Sequence, residues 1–378
     1  MRQTESTRMA FFASSLVSAY WNGAATYYRG IIRALDALGY HITFYEPDAL
    51  DRQAHRDIED PEWARVVVYD ASSEAKVRQT VQRAASACDV LVKASGVGVH
   101  DTLLEREVLR HQTDERLVIF WDVDAPATLE RAGADRDDPF RSLVPKYDMV
   151  LTYGGGPPVI EAYESLGARR CVPVYNAHDP AVHQPAPSDP KFQADLAFLG
   201  NRLPDREARV DAFFSSPARA MPNAQFIIGG SGWEDKRWPP NVRALGHVYT
   251  ADHNAFNATP RAVLNIARDS MARFGYSPAT RVFEAAAAGA CIITDAWKGI
   301  DFFFEPDREL LVAESGDEVV RLLTSLSAEA AAAVGAAARR RALADHTYDD
   351  RARLVDEVLT ACRHGRMASA RAKEGVGT

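Results

Sequence analysis

Apolar and polar positions alternate in blocks along the chain. Met9–Leu16, His41–Tyr45, Val66–Tyr69, Asp89–Lys93 and Leu117–Trp121 are short runs rich in apolar and aromatic residues, which read as buried strands. Between them the apolar positions take helical spacing. In Ala25–Leu38, Tyr28, Ile31, Ile32 and Leu35 share one face and Gly39 closes the helix. Ser73–Ala87 and Thr102–His111 read as helices too. Met149–Thr152 and Arg170–Val174 are strands flanking a helix near Pro158–Leu166. Such β-α alternation predicts a doubly wound parallel α/β domain over residues 1–175.

The pattern then breaks. Residues 176–195 hold four prolines and little apolar periodicity, and read as an interdomain linker. A second α/β domain is predicted over 196–346. Its elements are strands at Leu196–Leu199, Gln225–Ile228, Ala262–Ile266 and Leu310–Val312, with helices at Glu207–Phe214, Asp317–Leu326 and Ala328–Ala344. A final helix covers Tyr348–Cys362, and residues 364–378 read as a tail without fixed structure. At 378 residues the chain can build two cores of ordinary size.

The segment Gly275–Asp295, GYSPATRVFEAAAAGACIITD, is the richest in candidate chemistry. Ser277 suits a helix N-cap and Pro278 the first helical position. Ala279–Ala288 follows as helix, Gly289 fits its left-handed exit, and Ala290–Thr294 reads as a buried strand. Arg281 and Glu284, three apart, share one helix face near the amino end. Free N–H groups, the positive end of the helix dipole and a guanidinium together suit a phosphate or diphosphate. A carboxylate one turn deeper suits neighbouring hydroxyls such as those of a ribose. The competing reading is an ion pair on a half-exposed helix face.

Other candidates lie in the loops that follow the strands, where α/β proteins place ligands. Gly200, with Arg202 and Arg206 beyond it, combines cleared space with positive charge. Gly230 follows another strand. Gly23 lies in the loop after the first strand, as a point of substrate approach or an ordinary turn glycine. Asp122 and Asp124 follow a further strand; each is a candidate base, a binder of acceptor hydroxyls or a helix cap. Gly154–Gly156 lacks the Lys-Ser/Thr that a phosphate loop carries.

Composition narrows the classes. Apolar residues make up 47% and charged residues 25%, as in soluble globular proteins. A net charge of −8 argues against a nucleic-acid binder. Four cysteines, Cys88, Cys171, Cys291 and Cys362, form no C-x-x-C pair, which points to a reducing cytoplasm and no structural zinc. His178 and Asp179 have no metal partner in the sequence, so no metal site is expected. No run approaches the roughly 20 apolar residues that span a bilayer.

RVFEAAAAGACIITD resembles the donor-site helix of GT-B glycosyltransferases, with its E-x7-E followed by A-x-x-x-G and a strand. The S-P-x-x-R-x-F-E-A-x-x-x-G-A run is similar to that of the spore-maturation CgeB-like group. The resemblance implies two Rossmann-like domains facing across a cleft, with the last helix (347–363) crossing back to the first domain. It gives Glu284 the ribose, and Ser277 with Arg281 the diphosphate. Gly200, Arg202 and Arg206 resemble the G-R/K element of that fold. Asn241–Val248 resembles its N-V-x-x-x-G-x-V turn, in which the backbone of Val248 reads the nucleobase. Asp122 and Asp124 sit in a W-D-x-D-x-P loop like that of CgeB-like proteins, and His178 falls beside the cleft. Arg281, Asp122, Asp124 and His178 are therefore the catalytic candidates. One position departs: Tyr276 stands where the first Glu of E-x7-E falls, at the transferred sugar. The implied function is transfer from a UDP-sugar to an unidentified glycan, protein or metabolite, retaining configuration, with no cofactor and no catalytic metal. A sugar-nucleotide 2-epimerase and a non-catalytic binding protein share the architecture and are the alternatives.

Overall fold

The structure, a computed structural model, describes residues 6–20 and 22–375. The chain forms two compact units, one of residues 1–175 with 348–378 and the other of residues 176–347.

The first unit holds seven strands: β1 (Arg8–Phe12), β2 (His41–Pro47), β3 (Arg65–Tyr69), β4 (Val90–Ala94), β5 (Leu117–Asp122), β6 (Met149–Thr152) and β7 (Cys171–Pro173). They pair in the order β3-β2-β1-β4-β5-β6-β7, every pair parallel. The central strands β4 and β5 are buried at every position, so their sequences carry no polar alternation. The helix Ala25–Ala37 buries Tyr27, Tyr28, Ile31, Ile32 and Leu35, and Gly39 (φ +90°) ends it as expected. Tyr27 donates its hydroxyl to the Val174 carbonyl at 2.8 Å and accepts the Trp121 indole N–H at 3.0 Å. On the same helix Gly30 admits the ring of Tyr348, which a Cβ would meet at 2.1 Å.

The second unit holds β8 (Leu196–Leu199), β9 (Phe226–Gly229), β10 (Val242–Ala244), β11 (Ala262–Asn265), β12 (Ile292–Asp295) and β13 (Leu311–Ala313). Their order is β10-β9-β8-β11-β12-β13, again all parallel. Its core gathers Phe198, Phe213, Phe214, Phe226, Ile228, Leu264 and Ile293. In each sheet the winding reverses once, between β1 and β4 and between β8 and β11. At such switch points the crevice beyond the strands' carboxyl ends takes ligands.

Two boundaries differ from the sequence reading. Residues 176–195 belong to the second unit rather than linking two domains: Ala177, Phe192 and Ala194 are buried, and Asn176 hydrogen-bonds Pro278 and Thr280. Prolines set this segment's extended path while single apolar residues anchor it, a pattern without periodicity. The last helix runs Tyr348–Gly375 and groups with the first unit, so residues 364–375 continue it; 376–378 lie outside the described residues. Among the described residues no single helix is long and apolar enough to cross a membrane.

Candidate functional site

The carboxyl ends of β8 and β9 touch backbone to backbone. The Gly200 N–H donates to the Gly229 carbonyl at 2.9 Å, and the Gly230 N–H to the Gly246 carbonyl at 2.7 Å. Gly230 has φ +121°, and a Cβ there would lie 2.2 Å from the Gly200 oxygen, so glycine is required on both counts. At Gly200 the missing side chain makes room for Arg206: a Cβ would stand 2.8 Å from its Nη1. Arg206 lies in the first turn of the helix Pro204–Val210. Its Nε is enclosed and, among the described residues, has no hydrogen-bond partner. Burial, reinforced by the neighbouring Arg268 and Arg281, brings its pKa down to about 10.

The second arginine comes from the helix that precedes β12. This helix spans Thr280–Ala287, with Ala279 at its N-cap and no side-chain cap. Ser277 therefore does not cap it, contrary to the sequence reading. The chain is still extended at Ala279 (φ −63°, ψ 147°), so the helix starts two residues later than expected and Ser277 and Pro278 lie outside its first turn. The Ser277 hydroxyl instead donates to the Gly275 carbonyl at 2.9 Å. Asn176 fixes the entry, accepting from the Thr280 hydroxyl at 3.0 Å and donating to the Pro278 carbonyl at 3.1 Å. Arg281 is half-buried, and its Nη1 is enclosed with no partner among the described residues. Burial lowers its pKa, and only Glu284 opposes that shift. Among the described residues no carboxylate lies within ion-pair distance of Arg206 or Arg281. Two partly desolvated guanidinium groups beside an uncapped helix amino end suit an anion.

Glu284, one turn further on, is 4% exposed. Burial pushes its carboxyl pKa up, but His183, Arg281, His253 and His178 outweigh it, and the group stays below the usual range. His183 Nε2 stands 3.6 Å from Glu284 Oε1. His253 donates Nε2–H to the Val248 carbonyl at 3.2 Å, and burial brings its pKa down to about 4. That bond ties the turn after β10 to the helix His253–Ala258, next to Glu284. Among the described residues no group of three His, Cys, Asp or Glu could hold a metal ion. A groove of about 520 Å³ in this unit, lined by Asp195, Arg261 and Cys291, opens at the opposite, amino ends of β8, β11 and β12.

The remaining sequence candidates fare differently. Arg202 is tied down: Nε and Nη2 donate to Glu207 at 2.9 and 2.7 Å, and Nη1 to Asp235 at 2.6 Å. Its charge is already matched, so of the two arginines after Gly200 it is Arg206 that is available. Asp122 is fully buried and accepts from Ser95, Thr128 and Tyr163 and from the Asp124 N–H. With its oxygens so enclosed, it holds the loop together rather than serving as a base. Asp124 stands at the N-cap of the helix Ala125–Ala134 without making the capping bond, and its own N–H donates to Asp122, which also accepts from the Thr128 hydroxyl. His178 is fully buried, burial lowers its pKa, and among the described residues neither ring nitrogen has a partner. Burial thus favours its neutral form. Gly23 is exposed with open space where a Cβ would go. Tyr276 adopts a left-handed φ of +47°, its ring resting on Gly299, where a Cβ would lie 2.3 Å away. Phe302, 62% exposed, meets that ring edge-on. His183, His253 and Arg268 were not singled out from sequence.

Known proteins match this architecture. Residues 206–357, less than half of the chain, fit the family model described as "Glycosyl transferase-like". Sucrose-phosphate synthase from Thermosynechococcus elongatus superposes with a TM-score of 0.67 at 14% identity, over 94% of this chain and 98% of the other. HepE from Anabaena, solved with UDP and glucose, gives 0.65 at 14% identity, over 94% and 100%. An alpha-glucosyltransferase solved with UDP and a DNA 13-mer gives 0.67 at 11% identity, over 94% and 99%. No curated protein matches the sequence. The two parallel-sheet units are those of the GT-B fold, as the resemblance of the Arg281–Asp295 segment implied.

Proposed function

We propose that the chain is a glycosyltransferase that takes a sugar from a nucleoside diphosphate, UDP, held on residues 176–347. The observation that carries this reading is the pair Arg206 and Arg281, each with a guanidinium nitrogen enclosed and unpartnered. Uncompensated buried charge is costly unless an anion completes it. A diphosphate between the two arginines and the amino end of the Thr280–Ala287 helix meets that need, and Glu284 then accepts the ribose hydroxyls. Val248 offers backbone to the base, and the solved relatives that carry UDP support uridine.

In the reaction the bond from the anomeric carbon to the phosphate oxygen breaks and a bond to an acceptor oxygen forms. The acceptor's proton leaves with the UDP. The arginines and the helix dipole stabilise the charge that builds on the departing diphosphate, the role a divalent cation fills elsewhere. Retention of configuration and kinship with the CgeB-like group rest on the sequence around Glu284, with Tyr276 as the departure. The acceptor falls to the first unit, where Gly23 and the loop of Asp124 follow strand ends.

Calorimetric titration of the full chain with uridine, UDP, GDP and ADP tests the reading. Arg281→Ala is expected to weaken UDP about 10- to 100-fold while leaving uridine unchanged. Glu284→Ala is expected to weaken both. Absence of binding by any nucleotide, or two variants that bind like the wild type, overturns the assignment.

A further inference from the structure

Glu284 can recognise a ribose only if its carboxylate is held in one orientation, and no hydrogen bond to its side chain does this among the described residues. The group facing it is His183, whose Nε2 lies 3.6 Å from Oε1 with both side chains buried. The ring of His183 is itself anchored. The Asp179 backbone N–H donates to its Nδ1 at 3.1 Å, and the His183 N–H donates to the Asp179 carbonyl at 2.8 Å. A backbone N–H can only donate, so Nδ1 carries no proton and the neutral ring must carry it on Nε2. That N–H is the one turned to Glu284. Arg281 lies one turn back on the same helix, and His178 and His253 complete the charged and titratable surroundings of the carboxylate. Neither of these histidines lies within ion-pair distance of Glu284.

We propose that His183 is the positioning residue for Glu284. Fixed as the Nε2–H tautomer by the 179–183 turn, it aims the carboxylate at the ribose hydroxyls and so sets the enzyme's preference for ribonucleotide over deoxyribonucleotide donors. This rests on the nucleotide reading above and deepens it. It assigns a function to a segment, residues 179–183, whose sequence reads as a proline-rich connection. The contact of 3.6 Å is longer than a hydrogen bond, and binding of the ribose shortens it.

The test is calorimetry on the full chain with UDP and 2′,3′-dideoxy-UDP as probes. The wild type is expected to prefer UDP by about 10-fold or more, the worth of hydrogen bonds to a charged acceptor. Two near-isosteric variants separate positioning from packing. His183→Asn keeps an acceptor for the Asp179 N–H but does not reach Glu284; its preference is expected to fall below about threefold with dideoxy-UDP binding unchanged. His183→Gln places an amide N–H near the Nε2 position and is expected to restore most of the preference. If His183→Asn weakens both probes alike and leaves the ratio intact, the histidine only packs and the inference fails while the nucleotide site stands. Equal binding of the two probes by the wild type also overturns it, because Glu284 then makes no ribose contact. If UDP does not bind at all, the reading beneath it falls first.

Discussion

A Cβ on Gly200 would stand 2.8 Å from Nη1 of Arg206 and 3.1 Å from Cζ of Phe198. The glycine thus makes room for a guanidinium of the proposed anion site although it offers no side chain. Phe198 belongs to the core of its unit, so the guanidinium is the part that must yield. Gly200→Ala is expected to lower UDP affinity about 3- to 10-fold, with a melting temperature within about 2 °C of the wild type. An alanine variant that binds UDP normally would detach Arg206 from the site.

Arg206 also bears on stability. Its charge is partly desolvated, lies near Arg268 and Arg281, and is not neutralised by an ion pair among the described residues. Function and stability are therefore opposed at this position. Arg206→Met is expected to raise the melting temperature of the ligand-free protein by a few degrees while weakening UDP at least tenfold. A fall in melting temperature on this substitution would mean that the guanidinium is structural.

The pH dependence has a definite sign. His253 titrates near 4 in the folded chain because it is buried, against about 6.5 when unfolded. Between those values the unfolded state binds the extra proton, so stability falls as pH drops from 6.5 towards 4 and is flat in this respect above 6.5. His178, also lowered by burial, adds a contribution of the same sign. Calorimetric melting from pH 4 to 7.5 is expected to show this slope, and His253→Gln, which keeps a donor for Val248, is expected to flatten it. An identical slope in the variant would show that His253 does not contribute.

Asp122 provides the complementary control. Its four donors, three of them side-chain hydroxyls, lose their acceptor together in Asp122→Ala. The expected cost is about 2–4 kcal/mol in denaturant unfolding, with UDP affinity unchanged. A variant of normal stability that had lost transfer to an acceptor would restore this residue as a catalytic candidate.

Every strand but β10 was legible because both sheets are parallel and covered on both faces, which writes them as unbroken apolar runs such as LVIFW, whereas β10 is a short, half-exposed edge strand that reads as a turn. Gly200 and Gly230 were legible as glycines after strands. The choice between Arg202 and Arg206 was not, since it depends on Glu207 and Asp235 reaching back to Arg202. The Ser277 cap was misread because the helix starts only after Ala279, at an entry that Asn176, about 100 residues away, holds through Pro278 and Thr280. His183 and His253 escaped notice for a different reason. They approach Glu284 from segments about 100 and 30 residues away, and nothing local distinguishes them from any other histidine.

Gly30 and Tyr348 carry one more consequence. The residues that complete the first unit are synthesised after the whole of the second, which is continuous from 176 to 347. On the ribosome the second unit can therefore finish folding while the groove over Gly30 still awaits its aromatic plug. The earlier-made half closes last, and a nascent chain halted before Tyr348 holds a mature sheet β8–β13 beside an unsealed β1–β7.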